Sequence, residues 1–308
     1  MQLDLGPVVL GGNVFGWTVT SQSDAFRILD AFLDGGGRSI DTADSYVAWM
    51  PGNQGGESEA LIGQWLAARK NRHQVHLATK VGMWARQPGL SPKNLREAIE
   101  GSLRRLQTDA VDLYYAHQDD ESVPQHESLA TFDALVKEGK VRALGASNFS
   151  AARLTSALAL ARQQGLEPFR YAQDHWNLVE RGLETTLVPT LEKEGLRELP
   201  YFSLAKGFLT GKYRPGAQVD SARAQGAAAY LERPENVALL GVLDALAATH
   251  RVSVAAISLA WLRHQPVVAA PIASARTVEQ LAPLFEAGRV TLSPEELAQL
   301  SAATAPPQ

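Results

Sequence analysis

One alternation governs what this chain can fold into: short runs rich in β-branched and aromatic residues recur between longer amphipathic stretches that carry helix-start signals. Eight runs read as strands, at residues 8–11, 39–41, 75–80, 111–117, 143–147, 171–176, 200–204 and 268–273. Between them, "SPKNLREAIEGSLRRL" opens with Ser91 as a cap and Pro92 at the first helical position, "SVAAISLAWLRHQP" opens on Ser253, and "SPEELAQL" repeats the Ser-Pro start at Ser293. Strands alternating with helices predict βα units around a parallel sheet. Eight units in 308 residues predict one α/β domain over 1–308, a closed (β/α)₈ TIM barrel with its active site at the C-terminal ends of the strands.

The competing architecture is an open doubly wound sheet, which should carry G-x-G-x-x-G after its first strand. Here the early glycines read "LGGNVFGW" and open no helix. No Pro/Ser-rich linker divides the chain, and no repeat at a fixed period accompanies the βα alternation. The Gly/Pro-rich, polar stretches "AWMPGNQGG" and "KYRPGAQVDSARAQG" read as long loops on the functional face.

Composition narrows the function. Hydrophobic residues make up 45% and charged residues 20%, enough apolar material for a full core. A net charge of -4 without a dense Lys/Arg stripe argues against nucleic acid or an anionic membrane as the main partner. The absence of cysteine excludes disulfides, thiolate metal sites and a Cys nucleophile, and fits a cytoplasmic enzyme. "MQLDLGPVVLGG" lacks a basic segment followed by a long apolar one, and no apolar run approaches a membrane span, so neither a signal peptide nor a transmembrane helix is expected. Nothing in the sequence speaks to oligomeric state.

Four ionisable side chains fall where a barrel places its chemistry. Asp41 ends the second strand with Tyr46 just beyond ("DTADSY"), Lys80 ends the third ("VHLATK"), and His117 ends the fourth ("VDLYYAH"). A buried Lys beside a Tyr favours the phenolate and is expected to lower the phenol toward a useful range, while a carboxylate keeps the Lys charged. Tyr46 could then protonate an alkoxide forming from a carbonyl that His117 orients and polarises. Each residue alone has a bland reading: Asp41 as a loop fixer, Tyr46 as a packed surface ring, His117 as a satisfied core histidine. Lys80 resists one, because Lys is almost never buried without a partner.

A Tyr and a Lys cannot reduce a carbonyl without an electron source, so this reading demands a hydride donor. "GASNF" supplies Ser147 and Asn148, suited to a carboxamide, and "YAQDHWNL" supplies Gln173 and the broad face of Trp176. "SLAKGFLTGK" and "PIASARTVEQL" follow the seventh and eighth strands, where barrels frequently bind phosphate, and Arg276 near a helix start suits a phosphate monoester. An ordinary helix start with a solvated Arg is the plainer reading of "ASART".

Taken together, "DTADSY…GGESEALIG", "VHLATKVG", "VDLYYAHQDD", "GKVRALGASNF", "YAQDHWNLVERG", "YFSLAKGFLTGKY" and "PIASARTVEQL" resemble the motifs of the aldo-keto reductases, in that family's order. The resemblance implies a (β/α)₈ barrel that reduces aldehydes or ketones by hydride transfer from NADPH, which leaves as NADP+, without a metal. By position it implies Tyr46 as general acid, Lys80 and Asp41 tuning it, and His117 orienting the carbonyl. It further implies Ser147, Asn148 and Gln173 on the carboxamide and Trp176 stacked on the nicotinamide. Ser203, Leu204, Gly207 and Leu209 would lie under the pyrophosphate, with Ser274, Arg276 and Gln280 at the adenosine 2′-phosphate.

Three departures from the family pattern stand out. Trp176 occupies a stacking position that is often Tyr or Phe; the loop between Tyr46 and Glu57 is long and carries Trp49 and Met50; and little chain follows "TVEQL", so the pocket is expected to be open. Trp17, Trp49 and Trp84 would line it and favour a hydrophobic or aromatic small-molecule carbonyl, unless they are ordinary packing at loop bases. Two rivals remain at this level. One is a metal-dependent hydrolase using His117 and His175, for which the first strand "VVLGG" offers no further ligand. The other is a cofactor-binding regulatory subunit of the same fold that does no chemistry.

Overall fold

Short apolar runs pair in sequence order into one parallel sheet in the computed structural model, which describes residues 3–220 and 223–304. The strands are β1 (Val9–Gly11), β2 (Ser39–Asp41), β3 (His76–Val81), β4 (Val111–Ala116), β5 (Val141–Ser147), β6 (Tyr171–Gln173), β7 (Arg197–Glu198) and β8 (Ile272–Ala273). Their order is β7-β6-β5-β4-β3-β2-β1-β8. The sheet closes between its two ends: Glu198 N–H donates to Val267 O (2.8 Å), Ala269 N–H to Glu198 O (2.8 Å) and Ile272 N–H to Pro200 O (2.9 Å). The result is the expected (β/α)₈ barrel, a single domain.

Alternation along each strand sends one set of side chains inward. Val9, Ala78, Leu113, Tyr115, Ala143, Tyr171 and Leu199 fill the interior, and Leu3 and Leu5 join them, with Leu3 N–H donating to Tyr171 OH (2.8 Å). The opposite faces bury against the surrounding helices, among them α1 (Gln22–Asp34), α2 (Glu57–Arg69), α3 (Pro92–Leu106), α4 (Gln125–Lys137) and α5 (Ala151–Gln164). All three expected Ser caps form: Ser91 accepts from Asn94 N–H, Ser253 from Ala256 N–H, and Ser293 from Glu296 N–H in a full capping box. Among the described residues no single helix is long and apolar enough to cross a membrane.

The register sets the site. Gly11 pairs with Asp41, Asp41 with Ala78, Lys80 with Tyr115 and Ser147 with Gln173, so Asp41, Lys80, Ser147 and Gln173 all arrive at the C-terminal rim. Three strands depart from expectation by three residues or more, while the first, third, fourth and fifth shift by one or two. The seventh strand is Arg197–Glu198, not 200–204, because Pro200 has no N–H to give a ladder and Phe202 lies at φ 50°. The sixth stops at Gln173, and the eighth is only Ile272–Ala273, with Val268 in an isolated bridge to Glu198. The loop expected around residues 212–226 is described except for Ser221 and Ala222, and it ends in a short helix, Ala224–Ala228; the tail after Thr304 lies outside the described residues.

One close approach locks α2 onto α3. A Cβ at Gly63 would meet Arg105 O at 2.0 Å and Leu106 Cα at 2.7 Å, both backbone atoms that cannot step aside. Nearby, Glu59 Oε2 accepts from Arg105 Nε (2.7 Å) and Oε1 from Thr79 Oγ1 (2.6 Å), drawing the two helices to β3. Gly63→Ala should therefore cost about 3 kcal/mol, the upper end for overpacking. Urea unfolding reads it directly, and an unchanged midpoint would refute the close contact.

Candidate active site

Asp41 ends β2, and the chain then turns tightly enough to bring Tyr46 back over it. Lys80 points inward from β3 and spends all three N–H bonds at this junction: on Asp41 Oδ2 (2.6 Å), on Thr42 O (2.8 Å) and on the Tyr46 hydroxyl oxygen (2.9 Å). With that oxygen occupied by Lys80, the Tyr46 hydroxyl donates its own proton to Asp41 Oδ2 over a longer 3.2 Å. Gln173 Nε2 donates to the other carboxylate oxygen, Asp41 Oδ1, at 2.9 Å. The His117 ring follows β4 and meets the Tyr46 ring edge-on at 6.0 Å, with Ser45 Oγ 3.5 Å from its Nδ1.

The electrostatics differ from the expectation in one respect. Burial pushes the Tyr46 phenol well above its ordinary range and Asp41's charge adds to the push, whereas the sequence pointed to a lowered phenol. Desolvation wins because Tyr46 shares a dry junction in which both Lys80 and Asp41 are inaccessible. Burial likewise pulls Lys80 down, against the Asp41 carboxylate. His117 is pushed well below its ordinary range by burial and then by Lys80's charge, so its imidazole is neutral. A neutral phenol beside a neutral imidazole presents two proton donors to one space.

That space is a cleft of about 790 Å³, within the range of small-molecule and cofactor sites. Asp41, Tyr46 and His117 lie on it, and Lys80 stands behind Tyr46. Ser147, Asn148, Gln173, Ser203, Leu204, Gly207, Ser274, Arg276 and Gln280 also line it, as do Trp49 and Trp84. Trp84 is anchored by its indole N–H on Gln54 O (2.9 Å), while Trp49 is 56% exposed at the mouth.

Three residues expected at the cleft are elsewhere. Trp176 is 1% exposed: it lies three residues past the inward-facing Gln173, just before a turn on Asn177 Oδ1, which accepts from Val179 and Glu180 N–H, and the alternation of the extended chain puts its indole on the outward face. There it donates to Glu184 Oε1 (3.0 Å) and packs edge-on against Trp261 at 6.1 Å. Leu209 is fully buried in the shell instead of lining the cleft. Trp17 stands behind the wall, edge-on to Trp49 at 6.3 Å and under the Arg223 guanidinium at 5.3 Å.

The structure also brings in residues that the sequence reading passed over. Tyr201 presents its ring at the rim, stacked on His175 at 5.5 Å, and its hydroxyl donates to Asn148 Oδ1 (2.9 Å). Its signal was its place right after Pro200, obscured by counting both into a strand. Lys206, Lys212 and Arg223 join Arg276 on the cleft, and burial and the neighbouring Arg276 charge pull Arg223 below its usual range. Asn13 accepts from Ser274 Oγ (2.8 Å), tying the first strand's loop to the last. Among the described residues no three His, Asp or Glu side chains gather as metal ligands.

The geometry coincides with what comparisons with known proteins find. A model of the Aldo/keto reductase family matches residues 7–305. An aryl-alcohol dehydrogenase of Pestalotiopsis microspora is 32% identical over 96% of this chain and 78% of its own length. A norsolorinic acid reductase of Aspergillus flavus is 32% identical over 96% of this chain and 77% of its own, and the protein Tas of Escherichia coli is 33% identical over 97% and 94%. A match along nearly the whole barrel, with oxidoreductases among these relatives, places the chain in the aldo/keto reductase family.

Proposed function

We propose that the protein reduces an aldehyde or ketone to an alcohol with NADPH, and that Tyr46 is the proton donor. The observation carrying this reading is the Asp41–Lys80–Tyr46 junction, in which a neutral phenol sits 2.9 Å from a buried ammonium beside neutral His117. His117 offers a ring N–H to the carbonyl oxygen and orients it toward the phenol. Tyr46 then gives up its proton, and the negative charge left on its oxygen falls against Lys80 Nζ, which already donates there. That interaction is stronger after the transfer than before, which is what catalysis requires. Asp41 keeps Lys80 charged and in place. When bound, the reduced nicotinamide supplies the hydride.

The residues present fit such a cofactor. Ser147, Asn148 and Gln173 sit together at the ends of β5 and β6 and would hold the carboxamide, and Tyr201 takes over the stacking face that Trp176 does not provide. Ser203, Leu204 and Gly207 would lie under the pyrophosphate, in a loop whose backbone holds Phe202, Ala205 and Lys206 at positive φ. The facing cations Arg223 and Arg276 are the observation that favours a polyanion, and with Ser274 and Gln280 they would take the 2′-phosphate. Trp49, Trp84, Met83 and Phe202 give the remaining mouth an apolar lining suited to an aromatic or hydrophobic carbonyl.

The test is a fluorescence titration with NADPH and with NADH, then addition of an aromatic aldehyde while the nicotinamide absorbance is followed. NADPH should bind more tightly than NADH and be oxidised on addition of the aldehyde. Arg276→Ala should weaken NADPH by about 10- to 100-fold, the loss of a charge-assisted phosphate contact, and leave NADH nearly unchanged. Absence of binding by either nucleotide would sink this function.

A further inference from the structure

Two buried carboxyls lie just outside the cleft, and the chemistry above uses neither. Glu198 ends β7 and Asp174 follows β6; Glu198 is paired in register with Ala172, so both side chains point away from the barrel interior, opposite to Gln173. Glu198 Oε1 accepts from Asp174 N–H at 2.8 Å, and its Oε2 is buried with no hydrogen-bond partner. Asp174 Oδ1 in turn accepts from Asn148 N–H at 3.0 Å, and Asp174 O accepts from Tyr201 N–H at 2.9 Å.

One residue thus grips both members of the rim that faces the nicotinamide end. Asn148 lies at φ 58°, a region a non-glycine residue keeps only when its surroundings hold it there. Its side chain closes a ring of contacts: Nδ2 donates to His117 O (2.9 Å) and Ser147 Oγ (3.0 Å), and Oδ1 accepts from Tyr201 OH (2.9 Å). Two carboxylates buried together cannot both ionise. The unpartnered Oε2 makes Glu198 the member that keeps its proton, and Asp174 is left to serve as the acceptor. Burial pushes Asp174 up to about 7 and drives Glu198 well above the carboxylate range, with Asp174's charge adding to it.

We propose that Asp174, braced by the buried carboxyl of Glu198, is a positioning residue that holds Asn148 and Tyr201 in register for the nicotinamide end of the cofactor. The proposal rests on the NADPH reading above and assigns to this pair a role distinct from general folding. Its effect should be confined to one end of the cleft, because the hydrogen bonds of the pair run to Asn148 and Tyr201, whereas Arg276 N–H donates to Gln280 Oε1 after the eighth strand.

The experiment titrates wild type and Asp174→Ala with NADPH and, separately, with adenosine 2′,5′-bisphosphate, which occupies the adenosine end alone. Asp174→Ala should weaken NADPH about tenfold, as expected for a lost hydrogen bond to a charged group, and leave the bisphosphate within about twofold. Asp174→Asn, whose amide oxygen can still accept from Asn148, and Glu198→Gln, whose carbonyl can still accept from Asp174, should restore NADPH to within about threefold. If Asp174→Ala does not fold, Asp174→Ser, one atom shorter, carries the same expectation. Equal loss of both ligands would reduce the pair to a structural role and overturn the proposal, as would NADPH binding unchanged in Asp174→Ala. Wild type that binds neither ligand would instead overturn the cofactor reading on which the proposal stands.

Discussion

Tyr46→Phe should lower turnover by about 10³-fold, within the range for a lost general acid, while NADPH still binds and the fold stays intact. The substitution removes one oxygen and little else. The ring keeps its edge contacts with His117 (6.0 Å) and Trp49 (6.5 Å), and Lys80 Nζ remains over its face at 4.6 Å. Lys80 also keeps Asp41 and Thr42 as partners, so its charge stays compensated. What disappears is the hydroxyl proton that Tyr46 gives to Asp41 Oδ2. Single-turnover oxidation of bound NADPH by an aromatic aldehyde separates this loss from product release. Near-normal rates would show that the phenol is not the donor and would move attention to His117.

The elements that deliver this site were legible because barrel strands write their ends plainly. "VHLATK" and "VDLYYAH" are apolar runs with ionisable residues towards each end, His76 and Lys80 in one and Asp112 and His117 in the other, and the rule that barrel chemistry sits at the C-terminal ends of the strands picks out Lys80 and His117. Ser91, Ser253 and Ser293 announced helix starts through chemistry local to four residues. One failure arose where tertiary geometry overrides local pattern. In "LPYFSLAKG" the apolar and aromatic residues imitate a strand, but Pro200 has no N–H to give and Phe202 turns at φ 50°, so past Glu198 the pairing thins to a single bridge between His175 and Tyr201, whose ring reaches the cleft rim. In "QDHWNL" Trp176 lies three residues past the inward-facing Gln173, so the alternation of the extended chain puts its indole on the outward face with Asp174, and the Asn177 turn follows it. The phenol's direction of shift was misjudged because the sequence shows that Lys80 and Asp41 are near Tyr46 but not how completely all three are buried. The Asp174–Glu198 pair was invisible because its meaning lies in which faces of two adjacent strands its members share.

Lys80→Met should cost about 3–5 kcal/mol of stability, the expected penalty for stranding one member of a buried ion pair, as well as nearly all turnover. Lys80 is 0% and Asp41 1% exposed, and Nζ lies 2.6 Å from Oδ2. Removing the ammonium leaves Asp41, among the described residues, with Gln173 Nε2 and the Tyr46 hydroxyl as side-chain donors, both neutral. A barrel of this size should lose on the order of 10 °C in apparent Tm. The second substitution decides why. Asp41→Asn made in the Lys80→Met background removes the stranded charge while keeping an amide of the same shape, so stability should recover by at least about half. Turnover should not recover, because nothing then stabilises a phenolate at Tyr46. If the double variant is no more stable than Lys80→Met, the pair is not the source of the penalty and lost side-chain packing is. If turnover returns with stability, Lys80 supports the fold and not the proton transfer, and the role assigned to the junction fails even though its geometry stands.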